Sequence, residues 1–147
     1  MGGAGAIVEA FRATCLIGCS KQIYAVLCIA ENAIGSLAQK PDDIIRLYSG
    51  LTVELTNTDA EGRLVLGDGV AYASRHLSPD VILDMCTLTG AQSMSTGRNH
   101  AAIVCNDEDL ENQAILTGRR CGDLVHPLLH CPEFLSPEFS RFLFYFR

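Results

Sequence analysis

The spacing of apolar residues alternates between helix-like and strand-like along the chain. Residues 4–15 place apolar side chains every three to four positions, as on one face of a helix, whereas residues 22–30 form a nearly continuous apolar run. Two further short apolar runs, residues 81–85 and 100–105, have the pattern of buried strands. This alternation of helices and strands predicts an α/β fold with a largely parallel sheet.

Turn-forming residues divide the middle of the chain. Residues 44–48 and 52–55 flank Ser49-Gly50, which predicts two short strands joined by a tight turn. The polar stretch 57–63 follows, and helical spacing resumes over residues 64–72. A polar turn that opens a helix offers free backbone N–H groups, so this stretch is a candidate binding loop.

Another helix is predicted after residues 100–105. Asn106 is a suitable N-cap, the acids at 107–109 suit the positive end of a helix, and residues 118–120, Gly-Arg-Arg, suit its C-terminal end. In parallel sheets, ligands bind beyond the carboxyl ends of the strands. The polar loops that follow the apolar runs are therefore the predicted place for a site.

Length and composition fit one globular domain. The chain has 147 residues, of which 48% are hydrophobic, so it is expected to bury a sizeable core. Its formal net charge is -6 and it has no basic cluster, which argues against nucleic acid as a partner. No apolar run approaches the roughly 18 residues of a membrane span, and the N-terminus lacks the features of a signal peptide. A cytoplasmic protein without membrane contact is predicted.

Seven cysteines are scattered through apolar contexts, and an odd number leaves at least one thiol unpaired, which fits a reducing compartment. One group has the residue types of a zinc site: Cys121, His126, His130 and Cys131. Pro127 and Pro132 interrupt this group, so incidental thiols and loop histidines are the preferred interpretation.

The most concentrated chemistry lies at Asp59, Glu61 and Arg63. Two carboxylates two residues apart point the same way on an extended backbone and can then reach one divalent cation or two adjacent cations. An arginine beside them suits an anion held near that metal. From the residues alone, a solvated turn with Asp59 as a helix cap and Glu61 in the first helical turn explains the same pattern.

The octapeptide at residues 57–64, Asn-Thr-Asp-Ala-Glu-Gly-Arg-Leu, resembles the signature of the leucine aminopeptidase family, the M17 peptidases. Glu31-Asn32 and residues 84–91, Asp-Met-Cys-Thr-Leu-Thr-Gly-Ala, resemble the same family in the same order. Residues 121–128 resemble most its probable aminopeptidase-like-1 subgroup. The resemblance covers residues 1–139, which it identifies as a partial catalytic domain, followed by a divergent tail at 140–147.

The resemblance implies an α/β/α sandwich with a mostly parallel mixed sheet, and release of N-terminal amino acids from peptides. It implies two divalent cations, Zn²⁺ or Mn²⁺, with Asp59 binding one metal and Glu61 bridging both. Arg63 would hold a bicarbonate that acts as general base. The positions whose backbone would line the substrate site are Thr87, Leu88 and Gly90. Family members assemble as hexamers, so a homo-oligomer is implied.

The family's remaining metal ligands and a catalytic lysine lie upstream of the motif that begins this chain. We therefore expect the 147-residue chain to be inactive alone. Two alternatives remain open: an inactive remnant that acts as an interaction or assembly module with full-length subunits, and an unrelated α/β binding module whose acidic turn is structural. The tail at 140–147 is an exposed aromatic run or, from the spacing of Phe142, Tyr145 and Phe146, a C-terminal helix.

Overall fold

The computed structural model describes residues 2–129, which belong to two compact units that divide after Leu88. The first unit contains α1 (Gly2–Leu16), β1 (Ile44–Arg46), β2 (Thr52–Glu54), a 3₁₀ turn (Thr58–Ala60) and α2 (Glu61–His76). The second contains α3 (Ala91–Ser95), β3 (Ala101–Ile103), α4 (Glu108–Cys121) and β4 (Val125–Pro127). The combination of helices with small sheets confirms the predicted α/β class.

Strands β1 and β2 form the predicted hairpin. They pair antiparallel, with Ile45 opposite Val53. The turn between them is closed by hydrogen bonds from Leu47 N–H to the Leu51 carbonyl and from Gly50 N–H to the Leu47 carbonyl, both 2.8 Å. Gly50 has a φ of 94°, a conformation that glycine adopts without strain. The Ser-Gly pair therefore fixes the turn for the reason that the sequence indicated.

The second unit contains a β-α-β arrangement. Strand β3 pairs parallel with β4, with Ala102 opposite His126, and α4 connects the two strands. The predicted cap is wrong by one residue: Asp107, not Asn106, has an extended backbone and accepts a 2.8 Å hydrogen bond from Leu110 N–H. The helix ends at Cys121, because Gly122 takes a left-handed φ of 86°.

The first helix, α1, confirms the prediction for residues 4–15. Its one buried residue is Gly3. A Cβ at this position would overlap the carbonyl oxygen of Met85 and lie 2.8 Å from the carbonyl carbon. The missing side chain therefore lets α1 lie directly against the backbone of residues 85–86.

We expect Gly3→Ala to destabilise the chain by about 1–3 kcal/mol, because the contacting atoms are backbone and cannot rotate away. Gly5→Ala is the matched control in the same helix, since a Cβ there meets nothing within 4 Å. It should stabilise the chain by about 0.5–1 kcal/mol through helix propensity alone. Denaturant unfolding followed by circular dichroism measures both. Equal effects of the two substitutions would contradict this packing of α1.

Two predicted strands, residues 22–30 and 81–85, are not strands in the structure. Within residues 22–30 the one backbone hydrogen bond joins Ile29 N–H to the Leu27 carbonyl, so neither a ladder nor a neighbouring strand is present in the described part of the chain. An apolar pattern alone does not form a strand, because the ladder needs a second backbone.

The predicted core is also smaller than expected. Among the described residues, the buried apolar side chains are those of Leu55 and Ala73, while most large apolar side chains remain more than a third exposed. Within residues 2–129, no helix has the length and apolar character that crossing a bilayer requires. The predicted tail, residues 140–147, lies outside the described residues.

Candidate functional site

Asp59 lies in the 3₁₀ turn that precedes α2. Asn57 starts this turn with an extended backbone, and its side-chain oxygen accepts a 3.0 Å hydrogen bond from Asp59 N–H. The cap is therefore Asn57, and the carboxylate of Asp59 is not a helix cap. In residues 2–129 this exposed carboxylate has no hydrogen-bond or ion-pair partner, so it is available to a ligand.

Glu61 is the first residue of α2 and is half-buried. Its Oε1 atom accepts a 3.1 Å hydrogen bond from Nδ2 of Asn32, in the loop that follows residues 22–30. The N-terminal end of a helix also favours a negative charge. The carboxylate of Glu61 is thus held in place by a residue 29 positions away. In the sequence, the one indication that Asn32 belongs to the site was the family resemblance of the Glu31-Asn32 pair.

The backbone around the two acids is helical rather than extended. Residues 58–60 form the 3₁₀ turn and α2 starts at residue 61, so the geometry in which alternate residues point the same way does not apply. Within the described chain, no group of three or more His, Cys, Asp or Glu side chains is placed to hold a metal ion. Arg63 is exposed and forms no ion pair among these residues.

An open cavity of ≈ 320 Å³ lies beside Glu61. Thr87 and Leu88 line the same cavity, with further walls from α1, α2 and residues 24–28. Three of the predicted site residues therefore share one cavity, whereas Asp59 and Arg63 are not in its lining. Gly90 belongs to the second unit, where it is the N-cap residue of α3.

Cys86 also lines this cavity. Burial, together with the charge of Asp84 and a hydrogen bond to it, raises the pKa of the Cys86 thiol. The Cys86 thiol is therefore neutral at neutral pH. Two other acids each accept a hydrogen bond: Asp84 from the thiol of Cys86, and Asp68 from Tyr48 N–H at 2.7 Å.

The predicted zinc-like group is only partly described. Cys121 Sγ lies 3.7 Å from the Gly118 carbonyl, and His126 Nδ1 lies 2.8 Å from the Pro127 carbonyl. Both side chains thus contact neighbouring backbone. His130 and Cys131 lie outside the described residues.

This chain resembles known proteins over most of its length. The profile of the cytosol aminopeptidase family catalytic domain, peptidase M17, matches residues 1–142. Probable aminopeptidase NPEPL1 of Homo sapiens is 55% identical over 139 residues, which is 95% of this chain and 27% of that protein. Leucine aminopeptidase 1 of Caenorhabditis elegans is 53% identical over 133 residues, 90% of this chain and 27% of that protein.

Solved structures give the same result. The Caenorhabditis elegans leucine aminopeptidase superposes with a TM-score of 0.88 at 53% identity, covering 90% of this chain and 27% of that one. The leucyl aminopeptidase of Trypanosoma brucei superposes with a TM-score of 0.91 at 49% identity, covering 94% and 28%. The chain spans about a quarter of the length of these relatives. The resemblance seen in the octapeptide is confirmed, and the chain belongs to the cytosol aminopeptidase family, peptidase M17, as part of its catalytic domain.

Proposed function

We propose that this chain supplies two metal ligands and part of the substrate-binding wall of an M17 aminopeptidase site, which releases N-terminal amino acids from peptides. The observation that carries the proposal is the position of Glu61: Asn32 holds its carboxylate at the start of α2, on a cavity shared with Thr87 and Leu88. A helix start beside a cavity is a favourable place for a carboxylate that must stay ionised.

The donors fit a divalent cation in type but not in number. Family M17 is metal-dependent, and carboxylate oxygens suit both Zn²⁺ and Mn²⁺. Asp59 and Glu61 would hold one such cation with water completing its coordination, because the described residues contain no third protein ligand near them. Bound divalent cations polarise a peptide carbonyl and lower the pKa of water. Holding two cations, with Glu61 bridging them, requires further ligands that the described residues do not supply.

The remaining roles follow from the family signature. Arg63 would bind a bicarbonate through its planar guanidinium, and the backbone at Thr87, Leu88 and Gly90 would contact the peptide substrate. Arg63 is exposed in the first turn of α2, so its guanidinium is accessible to such an anion. We further propose a homo-oligomer in the cytoplasm, without nucleic acid or membrane as a partner.

A chimera tests this function. In the Caenorhabditis elegans leucine aminopeptidase 1, the matching 133 residues are replaced by those of this chain. We expect the chimera to hydrolyse a leucine anilide when loaded with Mn²⁺, with kcat/KM within about tenfold of the parent enzyme, because the site signature is retained. A folded chimera with no metal-dependent turnover would overturn the proposal. Circular dichroism and gel filtration establish whether the chimera is folded.

An inactive assembly module is the second candidate. Apolar side chains other than those of Leu55 and Ala73 remain at least partly exposed in the described residues, which belong to a chain about a quarter as long as its relatives. Such a surface is covered in a stable protein, by further chain or by another subunit.

A further inference from the structure

The side chain of Asn32 faces the carboxylate of Glu61. The distance from Asn32 Nδ2 to Glu61 Oε1 is 3.1 Å, which lies within the usual range of a hydrogen bond. An ionised carboxylate only accepts hydrogen bonds, so the amide of Asn32 must present its NH₂ group to this oxygen. Asn32 is therefore the donor in this contact, and Glu61 is the acceptor.

Packing against α2 delivers Asn32 to this position. A Cβ at Gly69 would overlap Sγ of Cys28 and lie 3.8 Å from Cγ1 of Val26, so this segment lies directly on the helix. Extended chain from Cys28 to Asn32 spans about 13 Å. This length matches the rise of about 12 Å along α2 between Glu61 and Gly69. The segment therefore runs antiparallel to α2 and brings Asn32 level with the start of the helix.

The contact leaves the negative charge of Glu61 available. Asn32 is neutral, and Glu61 forms no ion pair within residues 2–129. Donation to Oε1 uses one of about four lone-pair positions on the carboxylate, so both oxygens can still reach a cation. A lysine or arginine in place of Asn32 would instead compete with the cation for the same charge. A neutral donor is thus well suited to hold a metal ligand.

A carboxylate that is already oriented binds a cation better than a mobile one. A free glutamate side chain rotates about several bonds, and binding must stop this rotation at a cost in conformational entropy. The hydrogen bond from Asn32 restricts the side chain of Glu61 before a cation binds. Removing the hydrogen-bond partner of a metal ligand typically costs roughly 10–100-fold in metal affinity or activity.

We propose that Asn32 is a positioning residue for Glu61, and that its amide raises the affinity of the site for a divalent cation. Asn32 acts through the carboxylate and does not bind the cation itself. The inference rests on the proposed function, since Glu61 must be a metal ligand for Asn32 to act in this way.

A Mn²⁺ titration of the 147-residue chain, followed by electron paramagnetic resonance, tests this role. Asn32→Leu and Asn32→Ala both remove the donor and should raise the Kd for Mn²⁺ about fivefold, less than loss of the carboxylate itself. Asn32→Gln keeps an amide donor and should stay within about twofold of the unmodified chain. Asn106→Leu makes the same change at an exposed asparagine of the second unit, and it should also stay within about twofold.

The Glu61→Ala background shows whether Asn32 acts through Glu61. In that background, Asn32→Leu should change the Kd less than about twofold, because the group that Asn32 orients is absent. An unchanged Kd in both Asn32→Leu and Asn32→Ala would overturn the positioning role, as would Asn32→Gln binding as weakly as Asn32→Leu, or an equal loss in the Glu61→Ala background. These results would leave Glu61 as a ligand. A Kd that Glu61→Ala itself does not change would overturn the proposed function as well.

Discussion

Glu61→Gln is expected to lower kcat/KM of the chimera by at least about 10³-fold while leaving it folded. A neutral amide cannot replace a carboxylate that binds divalent cations, so metal-dependent turnover is lost. The side-chain oxygen of glutamine can still accept the hydrogen bond from Asn32, which preserves the local structure around the start of α2. Kinetic assays with a leucine anilide, at saturating Mn²⁺, measure the loss.

Glu108→Gln is the matched control for this substitution. Glu108 is also an acid in the first turn of a helix, α4, and it is exposed. Glu108→Gln likewise removes a negative charge from the N-terminal end of a helix, but it leaves the proposed site unchanged. Turnover should therefore stay within about twofold of that of the chimera. Near-normal turnover of the Glu61→Gln chimera would remove Glu61 from the metal site.

The 147-residue chain alone is expected to show no metal-dependent hydrolysis of a leucine anilide, at least about 10⁴-fold below the chimera in kcat/KM. Two divalent cations repel each other, and the carboxylate oxygens of Asp59 and Glu61 are too few to hold both. Within residues 2–129, no further His, Cys, Asp or Glu side chains join these two acids in a group that could hold a metal ion. The assay compares the Mn²⁺-loaded chain with the chimera at equal concentration.

Turnover by the chain that approaches that of the chimera, and that Asp59→Asn abolishes, would contradict this expectation. Such a result would mean that ligands within the chain complete the site. Residual activity that Asp59→Asn leaves unchanged would instead indicate a contaminating peptidase, and the chain itself would count as inactive.

The elements that the sequence predicted correctly are those fixed by local interactions. The hairpin follows from Gly50 in its turn, and α1 follows from its apolar stripe. The helix predicted over residues 64–72 is present as part of the longer α2, Glu61–His76. Each depends on residues close together in the sequence. The cap at Asp107 was missed by one position because Asn106 and Asp107 are both good cap residues, and only the backbone conformation distinguishes them.

The predicted elements that are absent from the structure are those whose formation depends on residues far away in the sequence. Residues 22–30 and 81–85 have the apolar pattern of strands, but a strand forms only beside another, and the described residues supply none. At the site, the octapeptide indicated both acids, whereas the contact between Asn32 and Glu61 joins residues 29 positions apart. No periodicity or spacing rule predicts such a contact.

The central claim is that Asp59 and Glu61 bind a divalent cation, and a Mn²⁺ titration of this chain followed by electron paramagnetic resonance tests it most directly. Mn²⁺ prefers carboxylate oxygens to the six free thiols of the described residues, which would compete for Zn²⁺. We predict one weak site, with a Kd on the order of 10⁻⁴–10⁻³ M, weakened at least tenfold by Asp59→Asn or Glu61→Gln but unchanged by Glu108→Gln. Equal Mn²⁺ affinity in all four proteins would contradict the assignment.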